Sequence, residues 1–126
     1  MTKSDYIWNF ANRKEYLKKL RHGMPPVMIT CAITGGVQGK ESNQGLPETP
    51  DEQAQSIYEA YQAGASVVHV HARDASSGYA DPSTDPEVYK EINRKIRAKC
   101  PDLIINNTTG VGLVGGTDPS VNIKSL

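Results

Sequence analysis

The chain has 126 residues, and its 14 Lys and Arg balance 14 Asp and Glu, leaving a formal net charge of zero. That length suits one modest domain, and the even charge lacks the basic footprint of a nucleic-acid binder. No run of about 18 apolar residues offers a membrane span, so neither nucleic acid nor a membrane is an expected partner. The start, Met1-Thr2-Lys3-Ser4-Asp5, has no apolar core of the signal-peptide kind. Cys31 and Cys100 both fall in segments that read as buried, which predicts a reduced, cytoplasmic setting without a disulfide.

In chain order, Asn9 to His22 reads as an amphipathic helix, with Tyr16, Leu17 and Leu20 on one side and Arg13, Lys14, Lys18 and Lys19 towards water. Gly23 and Pro25-Pro26 end it, so residues 1–25 are expected to form a helical arm. Val27 to Thr34 is a near-continuous apolar run suited to a parallel strand covered on both faces. It opens into Gly35-Gly36-Val37-Gln38-Gly39-Lys40, which is not a phosphate-binding P-loop. The first glycine of that pattern falls at Thr34, Glu41 stands where Ser or Thr is required, and a proline-containing loop replaces the helix start. The stretch to Pro47 is instead a candidate active-site loop. Thr49-Pro50-Asp51-Glu52 then spells a helix start, with Thr49 as N-cap, Pro50 at N1 and Glu52 closing a capping box. Ala54, Ile57, Tyr58 and Tyr61 give that helix one buried stripe, and Gly64 ends it.

Ser66 to Asp74 reads as a β-branched strand that ends in chemistry. Alternation puts His69, His71 and Arg73 on one face and Val68, Val70 and Ala72 on the other. Two imidazoles at this spacing are able to reach one ion from a stiff support, and imidazole suits zinc. The competing reading is a pair of core histidines bonded to backbone carbonyls. A polar loop follows from Ala75 to Asp81, and a second helix starts at Thr84 or Asp85 with Pro86 and Glu87 in its first turn. Val88, Ile92 and Ile96 form its core stripe, and Pro101 stops it. Leu103 to Thr109 is a third strand that turns polar at its C-terminal end, where Gly110-Val111-Gly112 lets backbone amides approach a ligand. The order is a helix, then βαβαβ, then a glycine-rich tail, which implies an α/β fold with a parallel sheet and right-handed crossovers. Thr34, His69, His71, Arg73, Asp74, Asn107, Thr108 and Thr109 all lie at or just past the C-terminal ends of strands. In (β/α)8 barrels and open α/β sheets that edge is where sites are built, which turns the histidine pair towards a metal role.

Four segments carry a resemblance. Ala32-Ile33-Thr34-Gly35-Gly36, Leu46-Pro47-Glu48-Thr49-Pro50, Val68 to Asp74 and Ile104 to Gly110, in that order and at these separations, resemble the β-keto acid cleavage enzymes over about Pro26 to Gly112. The resemblance implies that residues 26–112 are the N-terminal βαβαβ portion of a (β/α)8 TIM barrel, about three strands, from a family that is usually homotetrameric. It implies Zn2+ held by His69 and His71 with a glutamate from late in the barrel. The implied reaction converts a β-keto acid and acetyl-CoA to acetoacetate and a new acyl-CoA. Thr108 matches a hydroxyl residue that holds the substrate carboxylate; Thr109 and Gly110 support it, and Arg73 and Asp74 are expected to orient the histidines. Arg73 also reads as one half of a buried pair with a carboxylate. Val37 stands where the amino-acid-cleaving member has a glutamate for the substrate amino group, which favours a neutral or anionic β-keto acid. Val111 replaces a second consecutive glycine.

A complete barrel needs roughly 250 residues, so the expectation is part of a larger enzyme, inactive as this chain alone. Residues 113–126 read as an irregular tail unlike the family's continuation. Two rivals remain: another (β/α)8 carbon–carbon lyase using a Schiff-base lysine or a phosphate site, disfavoured because no lysine lies on a predicted strand, and a metal-free βαβ binding or oligomerisation module.

Overall fold

A computed structural model describes residues 12–22, 27–108 and 110. The first element, α1 (Arg13–His22), starts where the Asn12 side chain accepts the Glu15 amide at 3.2 Å. The expected start at Asn9 and the end signals at Gly23 and Pro25-Pro26 lie outside the described residues. β1 (Thr30–Ala32) is shorter than the apolar run that announces it. A long loop leads to α2 (Pro50–Gln62), whose capping box is formed as the sequence spells it. The Thr49 hydroxyl accepts the Glu52 amide, and the Glu52 carboxylate accepts the amides of Thr49 and Glu48. Gly64 leaves the helix at φ +105°, a conformation that suits glycine.

β2 (Val67–Val70) follows, and the chain then changes partners. Ala72–Arg73 (β3) leaves the first sheet and pairs antiparallel with Pro82–Ser83 (β4). Asp85 caps α3 (Pro86–Lys99) by accepting the Glu87 amide, and β5 (Ile104–Asn107) closes the described fold.

The main sheet is parallel in the order β1-β2-β5. Its register aligns Cys31 with Val68 and Ile105, and Ala32 with His69 and Asn106. α2 and α3 pack together over one face, burying Ala54 and Ile57 from α2 and Ile92, Ile96 and Tyr89 from α3 against Val68, Val70, Ala72, Cys100 and Leu103. The α/β class with a parallel sheet is therefore as expected. Coverage of both faces is not: Val27, Met28 and Ile29 are 52–69% exposed and Ile104 is 54% exposed. α2 and α3 both lie on the Val68–Val70 side, and Ile104 on the opposite face is open. Tyr58, expected in the buried stripe, is 36% exposed, whereas Gln53 and Tyr89, not expected inside, are buried. Among the described residues no helix is long and apolar enough to cross a membrane.

Glu52 ties the loop to the helix it caps. Lys40 Nζ lies 2.5 Å from its carboxylate. That hydrogen bond, followed by the Thr49 amide, holds its pKa at about 2 against an ordinary 4.5. A depressed carboxylate stabilises the fold above its unfolded pKa, and the stabilisation is lost as pH falls through the folded value. Between pH 5 and 2 the parent chain should thus lose stability more steeply than Glu52→Gln, measured by urea unfolding across that range. Equal slopes would remove Glu52 as the acid-sensitive cap.

Candidate active site

The histidines stand at the C-terminal end of β2 on the face opposite α2 and α3. Their ring centres are 5.1 Å apart, edge to face at 78°, and both residues are half-buried. Parallel register brings Asn106 beside His69, and its Oδ1 lies 2.9 Å from His69 Nδ1. An amide oxygen only accepts, so this contact suits a ring that carries its hydrogen on Nδ1. His71 is held by its backbone: buried Gln53 reaches from α2 and donates from Nε2 to the His71 carbonyl at 3.0 Å and to the Glu48 carbonyl at 3.1 Å. Burial pushes the His71 pKa down, His69 and then Arg73 add to this, and a bond to the Gly110 backbone works against it. The net direction favours neutral imidazole, the form that has a lone pair to give.

The loop after β5 lies against this pair. The Thr108 amide donates to the Val70 carbonyl at 3.1 Å, which extends the parallel ladder one step past the strand. Tyr89 donates its phenol to the Thr108 carbonyl at 2.6 Å. Burial raises the phenol's pKa, with a bond to the Ala72 backbone acting in the opposite direction, so Tyr89 stays protonated and remains a donor. The Thr108 hydroxyl accepts the Gly110 amide at 3.1 Å and keeps its own hydrogen for another acceptor. Thr109 lies outside the described residues.

The hydrogen bonds of Arg73 and Asp74 go to other groups than the imidazoles. Arg73 is 1% exposed, and its guanidinium donates to the carbonyls of Ala80 (2.8 Å), Gly35 (2.9 Å) and Gln38. Among the described residues its hydrogen bonds thus go to carbonyls rather than to a carboxylate, and they fasten the first loop to β3. Asp74 caps a short 3-10 turn over Ala75–Ser77 by accepting the Ser76 amide. Within the first loop, Glu41 accepts the Gly39 amide and Glu48 accepts the Lys40 amide, both at 2.7 Å. The Gly39 amide, then Glu41's own, keeps the Glu41 carboxyl below its usual range. Gly35, Gly36, Val37, Gln38 and Leu46 line a concavity of about 260 Å³ with no charged side chain in its wall. A larger groove of about 490 Å³ runs between Lys40, Leu46 and the outer side of α2, and neither histidine lines it.

The pair fits a metal in part. Zn–N bonds of about 2.0–2.1 Å at a tetrahedral angle put two imidazole centres about 5 Å apart, close to the observed 5.1 Å. Among the described residues, however, no group of three or more His, Cys, Asp or Glu side chains gathers around one point, so the described donor set stops at two. Gln53 and Tyr89, which brace the histidine and threonine backbones, were not anticipated. Each sits on a helix stripe, four residues before Ile57 and three before Ile92, where a polar side chain signals a buried hydrogen bond.

The family model for beta-keto acid cleavage enzyme matches residues 26–123, past the limit near Gly112 expected from the sequence. The chain is 42% identical over 95 residues to a 3-keto-5-aminohexanoate cleavage enzyme of Fusobacterium nucleatum, covering 75% of this chain and 34% of the relative. It is 40% identical over 86 residues to a 3-dehydrocarnitine:acetyl-CoA trimethylamine transferase of Rhizobium meliloti, covering 68% and 28%. It is also 40% identical over 84 residues to a 3,5-dioxohexanoate:acetyl-CoA acetone transferase of Paraburkholderia graminis, covering 67% and 26%. The chain thus spans about a third or less of the length of these relatives.

Removing the Tyr89 hydroxyl leaves the half-buried Thr108 carbonyl without its donor, a loss of about 1 kcal/mol. Tyr89→Phe should lower stability by that amount and displace the amide resonances of Thr108 and Gly110. An unchanged spectrum in that loop would show that Tyr89 does not anchor it.

Proposed function

This chain belongs to the β-keto acid cleavage enzyme family, and from that premise we propose that it supplies two zinc ligands and part of the substrate-carboxylate site of such an enzyme. In this reading β1, β2 and β5 are the first three strands of a (β/α)8 barrel, and the face that bears the histidines looks into it. Exposed Ile104 on that face and the open edge of β1 support this, since further strands would cover both. The reaction of the whole protein is the exchange of acyl groups between a β-keto acid and acetyl-CoA, giving acetoacetate and a new acyl-CoA. Carbon–carbon cleavage of the first substrate is matched by carbon–carbon formation in the second product, so no oxidant or reductant is needed.

His69 and His71 hold the ion, and a further ligand comes from outside the described residues. When bound, zinc supplies Lewis acidity towards the substrate ketone. The Thr108 hydroxyl, supported by Thr109 and Gly110, binds the carboxylate and fixes the β-keto acid in one orientation. Arg73 and Asp74 act through the backbone: Arg73 holds the first loop, and Asp74 holds the turn that follows β3. Glu41 and Glu48 are committed to the amides of Gly39 and Lys40, and exposed Val37 borders the uncharged concavity. The acyl substituent is therefore neutral or anionic rather than cationic. Two imidazoles by themselves hold zinc weakly, so the further ligand decides the affinity.

The observation that carries this reading is the contact of two half-buried imidazoles beside the Thr108–Gly110 loop. Zinc titration of the chain should show binding that His69→Ala and His71→Ala each abolish. Retention of zinc by both variants would remove the metal assignment.

A further inference from the structure

We infer that Asn106 is a positioning residue that locks the His69 imidazole in its Nδ1–H tautomer and so reserves Nε2 for the space shared with His71. The inference starts from register. His69 and Asn106 are direct partners in the β2–β5 pairing, so their side chains leave the sheet on the same face, and a two-carbon side chain is long enough to span the gap. The contact is 2.9 Å between His69 Nδ1 and Asn106 Oδ1. The oxygen has no hydrogen to give, so the ring must present its own. Free histidine in water prefers the opposite tautomer, with the hydrogen on Nε2. A lone asparagine acceptor at Nδ1 therefore reverses the ring's intrinsic preference.

The neighbouring asparagine shows what the register selects. Asn107 lies one residue on, on the opposite face, and its buried Oδ1 has no hydrogen-bond partner. Of the two adjacent amides, only Asn106 meets an imidazole. Nor is His71 oriented in this way: its anchor is the Gln53 bond to its main-chain carbonyl, and its ring meets the Gly110 backbone. The two histidines thus have different supports, one at the ring and one at the main chain. A metal-ligating imidazole is commonly oriented through its second nitrogen, and losing such a partner typically weakens metal binding by about 10- to 100-fold. That consequence rests on the proposed zinc reading; the tautomer does not.

The test uses the whole chain, labelled with 15N and free of metal, at a pH where both rings are neutral. Long-range nitrogen–proton correlations should show His69 with a protonated Nδ1 and a bare Nε2. A His69 protonated on Nε2 in the parent chain overturns the inference without recourse to any variant. Asn106→Leu should shift the tautomer ratio towards Nε2–H by about threefold to tenfold, and Asn106→Asp, which keeps an acceptor oxygen, should restore Nδ1–H. If the leucine variant keeps Nδ1–H, another group sets the ring and Asn106 is not the positioning residue. Titration with Zn2+ alone should then show affinity lowered by about 10- to 100-fold in Asn106→Leu and recovered in Asn106→Asp. His69→Ala separates the two ideas: zinc binding that survives it ends the metal reading while the tautomer result still stands.

Discussion

Register in the parallel sheet is the constraint on which everything else in this chain depends. Pairing Val68 with Cys31 and Ile105 sends Val68 and Val70 under the two helices, and the same pairing sends His69, beside Asn106, to the other face. A slip of one residue would exchange the faces, placing imidazoles against Ile57 and Ile92 and valines at the rim. The apolar contacts with α2 and α3 make that slip costly. The core therefore fixes the chemistry indirectly: helix packing on the Val68–Val70 face decides which way the rings point.

Where the ladder stops, buried polar side chains take over. β2 ends at Val70 and the chain moves to a second, two-residue pairing, which leaves carbonyls at His71, Thr108, Gly35 and Gln38 in need of donors. Gln53, Tyr89 and Arg73 supply them. Leaving a buried acceptor unmatched costs more than making the bond gains, so these three side chains act as clamps on backbone geometry at the rim. Each reaches across from a different element, α2, α3 and β3, and together they hold the first loop, the histidine strand and the threonine loop in one arrangement.

Local chemistry was the legible part of the sequence. The capping box at Thr49, the Asp85 cap, the buried positions of Ile57, Ile92 and Ile96, and the common face of His69 and His71 all follow from short-range spacing. Family membership was also readable, because four short segments at fixed separations are far more specific than any one of them. Length and exposure of the first strand were not: an apolar run such as Val27 to Ile29 says that cover is wanted, not which element provides it. The partner change after Val70 was equally hidden, since Ala72–Arg73 reads as a continuation of the same alternation. Arg73 looked like half of an ion pair because a guanidinium prefers a carboxylate, yet its terminal N–H groups go to the carbonyls of Gly35 and Gln38 in the first loop and of nearby Ala80, and its buried Nε has no partner among the described residues.

Gly39 gives this loop an uneven capacity for change. A Cβ there would strike the ends of the Glu48 and Glu41 side chains, and either could swing aside only by releasing the amide of Lys40 or of Gly39 itself. Two positions earlier, Val37 is 76% exposed and borders the concavity, so a different side chain there disturbs no internal bond. Drift at residue 37 thus alters what the rim presents to solvent, whereas drift at residue 39 must first dismantle the hairpin of carboxylates beneath it. One short segment in this way keeps its scaffold invariant while leaving its outward vocabulary open.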